Sequence, residues 1–211
     1  MFILPDRPRS VVMGVIYHQI DSHNHIVTVA IVDKYGEVLN FDHFSKLIPP
    51  REFKPRQGGA EITEEEEMRR KKQQMQNNDE KAEHQKDKDR ITELIKKYEV
   101  ELIVVGANKL EARRLKETLT TIATGLLNST DEKEASVELR KSKGIEEAKI
   151  LDVQVAWGSL EVPKLFANSH MSQKLLKGYE QVVKQAVSLA RYQQDPMNEI
   201  LNLWSFVIQE N

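Results

Sequence analysis

Four carboxylates stand out in this 211-residue chain: Asp21 in the first expected turn, Asp33 at the end of the second strand, Asp152 within the expected fifth strand and Glu161 after it. Acids that converge on strand ends can hold two divalent ions, which stabilise the attacking and leaving oxygens of a phosphodiester displacement. The first strand here, "VVMGVIY" at 11 to 17, carries none. Asn108, just after the fourth strand, is neutral and at best a weak oxygen ligand. Histidines offer a second donor set: His18, His23 and His25 crowd one turn, with His43 on the adjacent strand. Alternate histidines on a strand can share a metal, and a polar surface turn accounts for the same residues. A third chemistry is phosphate contact, for which Arg69, Arg70, Lys71 and Lys72 are the candidate nucleic-acid-binding residues. Glutamates 64 to 67 offset that patch.

Composition removes other classes. The chain has no cysteine, so disulfides, thiolate metal sites and cysteine nucleophiles are excluded. The net charge of −2 rules out a wholesale polyanion binder. No apolar run is long enough to span a membrane, and no membrane partner is expected. "MFILPDRPRS" has a proline and an aspartate where a signal peptide needs an unbroken apolar core. No glycine-rich loop follows any strand, and "GANK" after the fourth has one glycine, so no nucleotide cofactor is expected. No Ser–His–Asp order stands out.

The positioning elements follow from pattern. "VVMGVIY" is apolar nearly throughout, as a strand covered on both faces should be. "IVTVAIVD", 26 to 33, is a β-branched run, and "KYGE" turns around Gly36 into "VLNFDHF", 38 to 44. That third strand alternates and should be half exposed. Residues 61 to 90 hold ten acidic and eight basic side chains and almost nothing apolar, a charged insertion or solvated helix. Ile91, Leu94, Ile95 and Tyr98 then recur at helical spacing and should dock on the sheet. "VELIVVGAN", 100 to 108, is a buried strand parallel to the first. Asn108 and Glu111 suggest a capping box for the next helix, striped by Leu115, Leu119, Ile122 and Leu126 and ending near "GLLNSTD". A second charged stretch covers 128 to 146. "AKILDVQVAW", 148 to 157, is a fifth strand, "VPKLFANS" a short element, and one long helix runs from about Met171 to Gln193. Asp195 and Pro196 open another helix. It is barely begun at Asn211, so the chain is expected to be a piece of a longer protein, with 1 to 10 a lead-in, 11 to 194 one domain and 195 to 211 the start of the next element. Trp157 and Trp204 are expected in core or interdomain packing.

The order β-β-β-α-β-α-β-α describes an α/β, ribonuclease H-like mixed five-stranded sheet with helices on both faces. "KQAVSLARYQQDPMNEI", 184 to 200, resembles the end of the YqgF-type domain of the Tex family of transcription proteins, with Arg191, Asp195 and Pro196 matching. "VELIVVGANKLEARRLKETL", "SLEVPKLFANS" with Glu161 in register, and "EEEEMRRKKQQ" resemble the eukaryotic branch, the suppressor-of-Ty-six elongation factors. Bacterial members keep an Asp-Pro-Gly type turn on the first strand, which this chain lacks. Tyr192 stands where the family carries a second basic residue.

The resemblance implies a nuclear histone chaperone and elongation factor travelling with RNA polymerase II, with histones or nucleosomes and neighbouring domains of the same chain as partners. It places the first catalytic acid at about Ile16 and the second near Gly106 to Asn108, all uncharged here. The expectation is therefore a scaffold domain with no catalytic residue, no metal and no cofactor. The alternatives are a metal-dependent nuclease or junction resolvase using Asp21, Asp152 or Glu161, and nucleic-acid binding without cleavage through residues 69 to 72 or the exposed third strand.

Overall fold

The computed structural model describes residues 10–21, 24–49, 64–137 and 152–209, without the side chains of 64–74, 76–77, 128–137, 202 and 205–209. Three strands, β1 (Val12–Gln19), β2 (His25–Val32) and β3 (Val38–Phe44), form an antiparallel meander. The long helix α1 (Glu64–Lys97) returns the chain to β4 (Leu102–Gly106), which pairs parallel to β1. Helix α2 (Glu111–Val137) leads on to β5 (Gln154–Gly158), parallel to β4. Four helices close the chain: α3 (Glu161–Asn168), α4 (His170–Leu175), α5 (Gln181–Gln194) and α6 (Pro196–Gln209). The sheet order is β3-β2-β1-β4-β5, with β1 at its centre. This is the α/β, ribonuclease H-like arrangement that the sequence pattern describes.

The sheet separates two cores because successive side chains on a strand point to opposite faces. Met13, Val15 and Tyr17 meet Ile91 and Ile95 of α1 and Leu115, Leu119 and Ile122 of α2. Val12 and Ile16 meet Phe166 and the α5 residues Val183, Ala186, Val187 and Ala190. Ile91 and Ile95 are fully buried, and each contributes about 1.5–3 kcal/mol through the apolar surface it hides. The last turns of the charged segment do dock, as their spacing indicates. β3 is half exposed, with Leu39 and Phe41 each leaving more than two-fifths of their surface open.

Four local expectations give way to the structure. The single helix over 171 to 193 is two helices, split where Gly178 adopts φ 87°, a left-handed conformation that glycine takes without a Cβ clash. Helix α2 continues through Val137, into the stretch expected to be a linker; 138 to 146 lie outside the described residues. β5 begins at Gln154, so Asp152 precedes the strand. Asn108 does not cap α2, because its amide is engaged with β1.

Gly14 fixes the spacing of the second core. A Cβ there would lie 2.1 Å from the Ala186 carbonyl oxygen, so β1 and α5 touch backbone to backbone. Only glycine on β1 permits that approach.

Candidate functional site

Parallel strands β1, β4 and β5 end on the same edge of the sheet, and in an α/β sheet that edge is where ligands gather. The residues that form it here are Tyr17 to Gln19 on β1 and Ala107 to Lys109 after β4. The Asn108 side-chain amide donates to the Tyr17 carbonyl at 2.8 Å, and Lys109 Nζ donates to Gln19 Oε1 at 2.8 Å. Two side chains leaving β4 thus tie down the end of β1. The position occupied by Ile16 is buried at 2% exposure and faces the α5 core. An amide and an ammonium therefore stand where carboxylates would have to gather to hold a pair of divalent ions. An ammonium repels a cation placed beside it.

The candidate acids divide between the two edges of the sheet. Asp21 follows β1, and exposed Glu161 opens α3 after β5, both toward the edge just described. Asp152 precedes β5 at the opposite edge. Asp33 follows β2, which runs antiparallel to β1 with Val32 paired to Val12, so it also belongs to the opposite edge. The eight residues of β1 separate the edges by about 23 Å, at about 3.3 Å rise per residue. Asp33 has a structural role: its Oδ1 accepts the backbone N–H groups of Tyr35 and Glu37, both at 2.8 Å, and closes the β2–β3 turn. Among the described residues, no three histidine, aspartate or glutamate side chains converge on one point that could hold a metal.

The histidines are likewise dispersed. His23 lies outside the described residues. His18 pairs with Ile26 and His25 with Gln19, so the two rings project from opposite faces of the sheet. His43 Nδ1 is 3.0 Å from the Thr28 hydroxyl. The His25 ring packs 5.6 Å from Tyr17, and its Nε2 is buried without a hydrogen-bond partner. Burial, with Lys46 and Arg114 adding to it, lowers its pKa, so His25 favours the neutral ring.

The run from Ala186 to Glu199 holds Arg191, Asp195 and Pro196, and the structure gives several of its residues partners across the fold. Ala186 is the residue that meets Gly14. The Ser188 hydroxyl donates to Glu199 Oε1 at 2.5 Å, joining α5 to α6 inside the fold. Arg191 Nε donates to the Gly36 carbonyl at 2.6 Å. The Gln194 amide donates to the carbonyls of Ser10 and Asp33, each at 2.8 Å. Asp195 Oδ1 accepts the Asn198 backbone N–H at 3.0 Å and caps α6. Burial raises the Glu199 carboxyl above its ordinary range, while the Ser188 hydrogen bond and the Arg191 charge act against that rise. Burial lowers the Arg191 pKa, and Glu199, Glu37 and Asp33 oppose it, which leaves the guanidinium charged. These contacts pin the end of α5 to the β2–β3 turn and to α6. They give the motif a role in holding the architecture.

The charged helix α1 also has a grip that its composition hides. Asp87 Oδ2 accepts the Lys46 backbone N–H at 2.8 Å, His84 Nδ1 is 2.8 Å from the Lys46 carbonyl, and Arg90 reaches Asp42. Nothing in the linear pattern marks these residues, since each partner is roughly forty positions away. Arg69, Arg70, Lys71 and Lys72 fall on the early turns of α1, and their side chains lie outside the described residues. Trp157 is 43% exposed with Lys116 Nζ 4.9 Å from its ring centre, and Trp204 is 65% exposed, so neither is core.

Comparison with known proteins agrees with this architecture. A family model described as YqgF, Holliday-junction resolvase-like of SPT6, matches residues 7–204. The transcription elongation factor SPT6 of Drosophila melanogaster is 30% identical over 124 residues, 59% of this chain and 6% of that protein. The transcription elongation factor SPT6 homolog of Arabidopsis thaliana is 23% identical over 155 residues, 74% of this chain and 9% of that protein. The chain thus spans less than a tenth of the length of these relatives. The match to the family model spans most of the sequence, and the chain belongs to the family of YqgF, Holliday-junction resolvase-like domains of SPT6.

Proposed function

We propose that this domain is a ribonuclease H-like scaffold that does not cleave nucleic acid, and that it serves within a nuclear transcription elongation factor and histone chaperone acting with RNA polymerase II. The observation that carries the absence of cleavage is the β1–β4 edge. Asn108 and Lys109 bind the end of β1 there, and the acids that could replace a lost ligand are divided between two edges of the sheet. The elongation role is supported by the relatives, which are transcription elongation factors. Histones or nucleosomes and the polymerase elongation complex are the proposed partners, together with neighbouring domains of a longer chain.

The test is incubation of the domain with labelled single-stranded DNA, an RNA–DNA hybrid and a four-way junction, with magnesium or manganese, reading cleavage and mobility together. The expected result is intact substrate. Metal-dependent cleavage that disappears on Glu161→Gln or Asp21→Asn would overturn the scaffold role. A mobility shift without cleavage would instead favour a nucleic-acid-binding module, with a steep salt dependence as its mark.

A further inference from the structure

Among the described residues β3 is the outer strand of the sheet, paired with β2 on one side only. An edge strand normally offers a row of unpaired backbone donors and acceptors, and an extended polypeptide can add to it. Leu39 and Phe41, 43% and 42% exposed, give this edge the apolar flanks that favour such addition. Its donors are nevertheless taken. The Phe41 N–H donates to Asn40 Oδ1 at 2.9 Å, and the His43 N–H donates to Asp42 Oδ1 at 2.8 Å. Alternate residues of an antiparallel strand turn their N–H groups toward the neighbour and away from it. The Asp33 N–H donates to the Glu37 carbonyl, so Ile31 and Val29 also face β3; their partners Asn40 and Asp42 face β2, and Phe41 and His43 between and beyond them are the outward pair an incoming strand would need. Asp42 is held in place in turn: Arg90 of α1 lies 2.6 Å from its Oδ1 and 2.5 Å from its Oδ2.

We infer that Asn40, Asp42 and Arg90 close the β3 edge against strand addition, and that removing the two side-chain acceptors converts the edge into a pairing surface for a second copy of this chain. The closure is enthalpic. An incoming strand must break two side-chain hydrogen bonds and, at Asp42, a charge-assisted pair before it gains any main-chain bond. Arg90 also lies over the Phe44 ring, with 5.2 Å between guanidinium carbon and ring centre, a second contact that keeps the guanidinium beside Asp42.

The test compares the native domain with Asn40→Val/Asp42→Val by sedimentation velocity over a concentration series. Valine keeps strand propensity while removing both acceptors. Self-association of the double variant is expected to be about tenfold or more stronger than that of the native domain. Adding Phe41→Pro, which removes one outward N–H, is expected to abolish the gain. Asp42→Asn, which keeps an acceptor for His43, serves as the milder variant and is expected to sediment like the native domain. A folded double variant that sediments like the native domain overturns the inference, as does a gain that survives Phe41→Pro. If the double variant does not fold, Asn40→Val alone decides: a gain sensitive to Phe41→Pro supports closure, and no gain overturns it.

Discussion

The Ser188 hydroxyl donates to Glu199 Oε1 at 2.5 Å, within a seam where both residues are buried, and so couples the two last helices of the fold. Ser188→Ala removes the donor and leaves a buried carboxyl oxygen without that partner. Loss of a hydrogen bond to a buried polar group costs about 1–3 kcal/mol. Urea unfolding of Ser188→Ala is therefore expected to show a lower midpoint with an unchanged slope.

Glu199 also sets a pH dependence. Burial raises its carboxyl above the ordinary 4.5, with Ser188 and Arg191 opposing. An acid with a raised folded pKa stabilises the fold fully below its unfolded value and loses that contribution as pH rises through the folded value. Glu199→Gln keeps an acceptor for Ser188 and carries no titrating proton. Its stability relative to the native chain is expected to grow as pH rises from below 4.5 and then to level off. Thermal melts across that window check it, and a constant difference would show that Glu199 is not strained by ionisation.

His25 works in the opposite direction. Its folded pKa is lowered from 6.5 by burial and then by Lys46 and Arg114. The stability of the neutral ring is present above 6.5 and is lost as pH falls from there through the folded value. His25→Phe, which keeps a ring beside Tyr17, is expected to remove this share of acid sensitivity, read as a smaller drop in melting temperature between neutral and mildly acidic buffer.

Gly14 tolerates nothing larger. A methyl group at this position would sit 2.1 Å from the Ala186 carbonyl oxygen, and the obstacle is backbone that no rotamer change can move. Gly14→Ala forces α5 off β1 and is expected to cost about 3 kcal/mol, the upper end for overpacking. Ala186→Gly is not expected to rescue it, since the clash is with the main chain. Denaturant melts of the single and double variants decide the point.

Much of this fold was legible in the sequence, for reasons that particular elements make plain. β1, β2 and β4 are β-branched runs whose only stable position is inside a covered sheet, and Ile91 and Ile95 declare the docking turns of α1 by spacing alone. The helix break at Gly178 was missed because its neighbours continue an apolar period on either side of the turn. Asn108 has the local spacing of a helix cap, whereas its partner, the Tyr17 carbonyl, stands 91 positions away. The same holds at the motif: Arg191, Asp195 and Pro196 were conspicuous in sequence, but the Gly36 carbonyl that Arg191 binds is 155 residues distant. Pairings of that range are fixed only once the sheet order is known.

On the proposed function, the β1–β4 edge is expected to gather no divalent ions. Titration of manganese into isotope-labelled domain, followed by paramagnetic broadening of backbone amide resonances, addresses that edge residue by residue. Gln19, Asn108 and Lys109 are expected to broaden no more than exposed residues elsewhere. Selective broadening of these resonances at low manganese, lost on Asp21→Asn or Glu161→Gln, would contradict it and would restore a metal-dependent nuclease to the front.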